Sequence, residues 1–204
     1  MSTMPLHKGL NSYQPLTDVL VPRPAGRTAA ALRDTLLTVG GSLLVALTAQ
    51  VSIPLPFTPV PITGQTFGVL LVGMLLGSRR GWLALALYLL EGAVGLPFFA
   101  QHKAGVDILL GSTAGYLFAF PIAAYVMGRL AERGWDRTPL RMAASMLLGG
   151  AIIMALGVLW LAHLVGGIKS AFLLGCVPFL LGDLIKTALA AGLLPIGWRL
   201  LGER

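Results

Sequence analysis

Two charged residues, Asp183 and Lys186, stand three apart within the apolar run Phe179-Leu-Leu-Gly-Asp-Leu-Ile-Lys-Thr187. On a helix this spacing puts both side chains on one face, within reach of each other. A charge at the centre of a membrane helix costs about 2.5–3.5 kcal/mol on insertion scales, so neither residue should face lipid. Two readings stand. One is a buried ion pair that holds helices together. The other is a polar ligand site with the pair as its specificity element, the default for intramembrane ionisable groups.

The segment Ser52-Ile-Pro-Leu-Pro-Phe-Thr-Pro-Val-Pro-Ile-Thr-Gly-Gln65 holds four prolines, Pro54, Pro56, Pro59 and Pro61. They exclude both a helix and a central strand. The loop should be extended, stiff and apolar; folding back over a pocket as a lid would bury Phe57, Val60 and Ile62, and simple embedding in the membrane interface is the other reading. Thr63 and Gln65 then offer polar groups where the next helix opens; capping or interfacial hydrogen bonding is the other use for Gln65. A third stretch, Tyr88-Leu-Leu-Glu-Gly-Ala-Val-Gly-Leu-Pro-Phe-Phe-Ala-Gln101, is followed by His102, Lys103 and Gly111-Ser-Thr-Ala-Gly-Tyr116. Phe98, Phe99 and Tyr116 would flank the mouth, or serve as packing and interface belt. Glu91, near the end of its span, is a further candidate.

Other chemistries lack their motifs. Gly166-Gly-Ile-Lys-Ser170 lacks the glycine before lysine that a phosphate-binding loop needs. There is no H-E-x-x-H and no G-x-S-x-G. The histidines His7, His102 and His163 have no metal-ligand spacing, so no metal is expected. The single cysteine, Cys176, cannot form an intramolecular disulfide.

The elements that position these residues follow from composition. Of 204 residues, 56% are hydrophobic and 11% charged, with a mean hydropathy of +0.82. That balance excludes a disordered chain and argues against a single soluble core. Apolar runs cover about 32–53, 62–78, 81–98, 112–128, 142–165 and 171–198, which predicts six transmembrane helices. The second and third runs are short for a full crossing; they tilt little, thin the bilayer, or end in irregular backbone facing a cavity. Residues 1–31 read as a cytoplasmic arm without the apolar core of a signal peptide, and 199–204 as a cytoplasmic tail.

Arginine and lysine set the orientation. Lys8, Arg23, Arg27, Arg33, Arg79, Arg80, Arg129, Arg133, Arg137, Arg141, Arg199 and Arg204 fall on one side, and only Lys103 and Lys169 on the other. Both termini are therefore expected in the cytoplasm. The net charge of +7 is a topology signal, not a nucleic-acid footprint.

In order along the chain, Ala49-Gln-Val-Ser-Ile-Pro-Leu-Pro-Phe-Thr-Pro-Val-Pro-Ile-Thr-Gly-Gln-Thr66, Gly92-Ala-Val-Gly-Leu-Pro-Phe-Phe-Ala100, Leu110-Gly-Ser-Thr-Ala-Gly-Tyr116 and Gly182-Asp-Leu-Ile-Lys186 resemble the motifs of the BioY family. These are the biotin-binding S components of energy-coupling factor (ECF) transporters. The resemblance spans about 32–198, with departures at Glu91, Gln101-His-Lys103, Ser112 and Ala114. It implies an all-α membrane protein with the six-helix S-component fold, residing in the cytoplasmic membrane. It also implies biotin capture, no cofactor, and partnership with a transmembrane T component and two cytoplasmic ABC-type ATPases that bind the ATP.

Biotin presents a ureido ring, a thioether ring and a valerate carboxylate. Asp183 can accept from a ureido N–H while Lys186 donates to the ureido carbonyl. The valerate then points outward to Gln101, His102 and Lys103; in the reverse pose Lys186 binds the valerate. The expected binding set is Asp183, Lys186, Gln65, Thr63, Phe57, Phe98, Gln101, Tyr116 and Glu91. The T component is expected on Ser42 and Ala46, whose small-xxx-small spacing allows close helix approach and stands near the family's Ala-xxx-Ala motif. No enzyme constellation is seen. The rival reading is a partner-independent, proton- or ion-coupled carrier with Asp183 as its relay.

Overall fold

The computed structural model describes residues 13–202; His7, Lys8, Arg204 and the first part of the arm lie outside that range. Five stretches are long and apolar enough to cross a membrane. They are α2 (Arg27–Gln50), α3 (Gln65–Ala93), α4 (Ala114–Ala131), α5 (Pro139–Val165) and a segment in which α6 (Ile168–Gly175) meets α7 (Leu180–Leu200) through a 3-10 turn at Val177–Phe179. A short helix, α1 (Leu16–Leu20), precedes them. The first span starts at Arg27, five residues before the expected boundary.

The helix α3 accounts for two of the six expected runs because it is folded double. In a straight helix Gln65 and Tyr88 would stand about 35 Å apart, yet the Gln65 side-chain amide donates to the Tyr88 hydroxyl at 2.5 Å. The reversal is at Gly77, with φ 79° and ψ 175°, a conformation that is essentially restricted to glycine. Glu132 fastens the turn, since its Oε1 accepts from the Ser78 amide at 2.8 Å and the Ser78 hydroxyl at 2.7 Å. The resulting arms, 65–76 and 78–93, are shorter than the hydrocarbon core. Each finishes in irregular backbone at the end opposite Gly77, and that backbone faces a cavity.

The Gly77 turn, the N-terminal part of α2 and the C-terminal end of α7 gather at one basic end of the bundle. The described part of the arm packs there. Thr17 Oγ1 donates to the Leu75 carbonyl at 2.7 Å, and Asp18 bridges Arg33 at 2.6 Å and Arg80 at 2.7 Å. Trp198 Nε1 donates to Asp136 Oδ2 at 2.7 Å, joining α7 to the loop before α5. Arg137 stacks over both the Trp198 and Tyr13 rings, 4.1 and 4.5 Å from their centroids.

Ser42 and Ala46 do not face outward. They are 0% and 6% exposed, within the packed interior, and Ser42 Oγ donates to the Val39 carbonyl at 2.9 Å. The expected docking face is corrected on this ground: small residues here admit neighbouring elements of the same chain. The outward stripe of α2 carries Leu32, Leu36, Leu43 and Leu47.

Candidate functional site

At the end opposite the arginines, a cleft of ≈ 890 Å³, counting its open mouth, lies between the N-terminal turns of α3, α4 and α7. The last span breaks at Cys176–Phe179, so Asp183 and Lys186 occupy the first two turns of α7 and not the middle of a long helix. Near a helix N-terminus the carboxylate is favoured by the backbone dipole.

The Lys186 ammonium donates to Asp183 Oδ1 at 3.0 Å and to Thr66 Oγ1 at 2.7 Å. One of its three N–H groups is thus left for a ligand, and among the described residues Asp183 Oδ2 takes no hydrogen bond. A donor and an acceptor stand side by side in the wall. Thr66 escaped the sequence reading, although it closes the proline-rich run quoted there.

The lid forms in part as expected. β1 (Ser52–Ile53) and β2 (Ile62–Thr63) pair antiparallel just outside the prolines. Between them Pro59, Val60 and Pro61 line the cleft. Thr58 Oγ1 donates to the Leu174 carbonyl at 2.7 Å, and Ser112 Oγ donates to the Pro59 carbonyl at 3.3 Å. The loop is therefore held at both sides of the mouth. Phe57 is corrected: it is 60% exposed and outside the wall.

Gln65, Thr63, Gln101 and Tyr116 line the cleft with Asp183 and Lys186. Their polar groups are partly committed. Gln65 Oε1 accepts from Thr63 Oγ1 at 3.2 Å, and the Tyr116 hydroxyl donates to the Gly175 carbonyl at 2.7 Å. A Cβ on Gly157 would lie 2.2 Å from the Tyr116 ring, so α5 admits this side chain only through a glycine. Tyr116 contributes to the cleft wall and keeps its hydroxyl for the fold.

Phe98 and Glu91 are corrected. Phe98 is outside the wall, and its carbonyl accepts from the Tyr88 hydroxyl at 3.1 Å. Its neighbour Phe99 lines the cleft and stands edge-on to Tyr88, ring centroids 5.6 Å apart. Glu91 also lies outside the wall. It sits near Ser42, and its Oε2 is buried without a hydrogen bond among the described residues.

The turn that carries Gln101 has two successive non-glycine residues at positive φ, Gln101 at 62° and His102 at 57°. Each costs on the order of 1–2 kcal/mol. Gln50, at the end of α2, braces the turn. Its Oε1 accepts from the His102 amide at 3.1 Å, while its Nε2 donates to the Phe98 and Phe99 carbonyls, both at 3.4 Å. Gln50 belongs to the first quoted run, but nothing in its own neighbourhood marks it as a brace for residues about fifty positions away.

The apolar part of the wall comes from Phe120, Met154, Phe179 and Ile108. Lys103, Ser112 and Thr113 stand with Gln101 in the same lining. With Lys103 and Lys186 against Asp183, the charged side chains of the wall sum to one positive charge. An apolar ligand with one amide-like edge and one negative charge is complementary to this surface.

A family model described as the BioY family matches residues 22–203. The chain is 46% identical over 148 residues to the biotin transporter BioY of Thermotoga maritima, covering 72% of this chain and 85% of that one. It is 38% identical over 184 residues to the biotin transporter BioY of Rhizobium etli, covering 84% and 98%. The crystal structure of an S-component for biotin from an ECF-type ABC transporter superposes with a TM-score of 0.73 over 88% of this chain and 96% of that one. Their identity is 21%, so this likeness speaks for the fold.

Proposed function

The chain belongs to the BioY family, and from that membership we propose that it captures biotin as the substrate-binding S component of an ATP-driven ECF transporter. It is a multi-pass membrane protein with a transport role. The single observation that supports this substrate in chemical terms is the free donor of Lys186 beside the free acceptor of Asp183. A cyclic urea offers an N–H and a carbonyl on adjacent positions, which pair with those two groups through charge-assisted hydrogen bonds. The thioether ring then lies against Phe120, Met154 and Phe179, and the valerate reaches Gln101 and Lys103 at the mouth.

Binding of this kind breaks no bond in the ligand and needs no cofactor. Nucleotide is left to two partner ATPases, joined through a T component. The arginine distribution supports an orientation in the cytoplasmic membrane with both termini inside and the cleft facing outward.

Titration of the detergent-purified chain with biotin, in the absence of nucleotide, tests the reading. Saturable binding at submicromolar biotin is expected. Absence of saturation, or biotin uptake driven by a proton gradient in cells without the partner ATPases, would overturn it. The valerate amide of biotin tests the pose: it should bind more weakly than biotin but still saturate, whereas complete loss would place the carboxylate on Lys186.

A further inference from the structure

A second groove runs along the membrane-facing side of the bundle, between α2 and the 78–93 arm of α3, with ≈ 2020 Å³ of open space. It shares no residue with the biotin cleft. Its mouth lies at the basic end. There Asp18 and Asp34 are shared among Arg23, Arg33 and Arg80 in ion pairs of 2.6–3.3 Å. Arg79 lines the same mouth, is exposed, and makes no ion pair among the described residues. Four arginines against two aspartates leave two positive charges uncompensated.

Above Arg79 the groove becomes apolar. Leu83, Ala86, Leu87 and Leu90 continue the Arg79 face of the helix at three- and four-residue steps. From Arg79 to Leu90 is eleven residues, about 16 Å, or roughly half of a hydrocarbon core about 30 Å thick. The groove therefore spans one leaflet, from its charged interface to the midplane. Thr35, next to Asp34 on the α2 side of the mouth, has a hydroxyl with no hydrogen bond among the described residues.

We propose that this groove seats an anionic phospholipid of the leaflet at the arginine-rich end. The phosphate lies against Arg79 and Arg23, and one acyl chain follows Leu83 to Leu90. A free phosphate or nucleotide would use the mouth but leave the apolar channel empty. A zwitterionic lipid would fill the channel but leave the surplus charge unmatched.

Native mass spectrometry of the full chain, purified in mild detergent and stripped of lipid, tests this with phosphatidylglycerol, phosphatidylcholine and inorganic phosphate as probes. One phosphatidylglycerol should be retained, about fivefold more tightly than phosphatidylcholine. Arg79→Gln should abolish the preference, and Arg79→Lys should keep it. Leu87→Trp should reduce retention of both lipids while the far-ultraviolet circular dichroism stays unchanged. Equal retention of the two lipids by the unmodified chain would overturn the proposal. So would phosphatidylglycerol retention that neither Arg79→Gln nor Leu87→Trp changes. Displacement of phosphatidylglycerol by inorganic phosphate at equal concentration would mean a site for free anions and would likewise overturn it.

Discussion

The Lys186 ammonium donates to the Thr66 hydroxyl at 2.7 Å across 120 residues of chain. This bond joins the first turn of α3 to the second turn of α7, and it aims the ammonium into the cleft beside Asp183. A lysine held only by its i−3 carboxylate would keep much of its rotamer freedom; Thr66 removes it before the ligand arrives. Such preorganisation raises affinity by lowering the entropy lost on binding.

Asp183→Asn and Lys186→Met should each weaken biotin binding, since in the proposed pose each leaves one half-buried charge and one edge of the ureido group unpaired. Losing a charge-assisted hydrogen bond removes about 1.5–3 kcal/mol, or roughly one to two decades in Kd. Thr66→Val removes a neutral acceptor from Lys186 and should cost less, on the order of 0.5–1.5 kcal/mol. Isothermal titration of the three variants should give that order. A Thr66→Val effect larger than the Lys186→Met effect would contradict the assigned roles.

Gln50→Leu removes the bonds that hold the Gln101–His102 turn at positive φ. The helix α2 should stay intact, and the mouth should loosen. Slower association with biotin and a raised Kd are expected in stopped-flow fluorescence, with little change in melting temperature. An unchanged Kd would show that the turn holds its conformation without Gln50.

Gly157→Ala places a methyl group where the Tyr116 ring lies. Overpacking at such a contact costs about 1–3 kcal/mol. The variant should melt earlier and bind biotin less well, because the Tyr116 ring is also part of the cleft wall. Tyr116→Phe loses only the bond to the Gly175 carbonyl, so binding should change little. A melting temperature unaffected by Gly157→Ala would refute the close approach of α5 to α4 at this level.

Ser42→Leu combined with Ala46→Leu should impair the isolated protein itself. Both side chains are enclosed within the fold, so added bulk strains the α2 packing by about 1–3 kcal/mol per site. Loss of biotin binding together with uptake is expected. Normal binding with uptake lost would restore this face as a docking surface.

Acid should loosen the arm at the basic end. Burial raises the Asp18 carboxyl pKa, but hydrogen bonds and charge from Arg80 and Arg33 outweigh it, leaving the group below its ordinary value of 3.8. A carboxylate with a depressed folded pKa contributes stability that is present above the unfolded pKa and lost as pH falls through the folded one. Melting temperature should therefore decline below about pH 4, and Asp18→Asn should flatten that decline while lowering the plateau at neutral pH. Asp136 has the opposite sign: burial holds its pKa high, beyond what the Trp198 bond recovers. Its contribution is lost as pH rises, so Asp136→Asn should not destabilise the protein at neutral pH. An Asp18→Asn variant with the same acid profile as the parent would dismiss the arm as the source.

The residue order alone determined the apolar runs, the basic side, the proline-rich lid and the Asp183/Lys186 pair. Each of these is a local property: run length against bilayer thickness, loop composition, proline geometry, or two charges on one helical face. Tertiary structure alone decided that Gly77 folds α3 double, that Thr66 meets Lys186, that Gln50 braces a distant turn, and that Ser42 and Ala46 turn inward. These depend on how each helix is rotated against its neighbours. In a membrane protein the lipid face and the core face are both apolar, so periodicity of hydrophobic residues does not distinguish them. Small residues such as Ser42 then suit an internal contact or a partner contact equally, and only the packed neighbours select between the two.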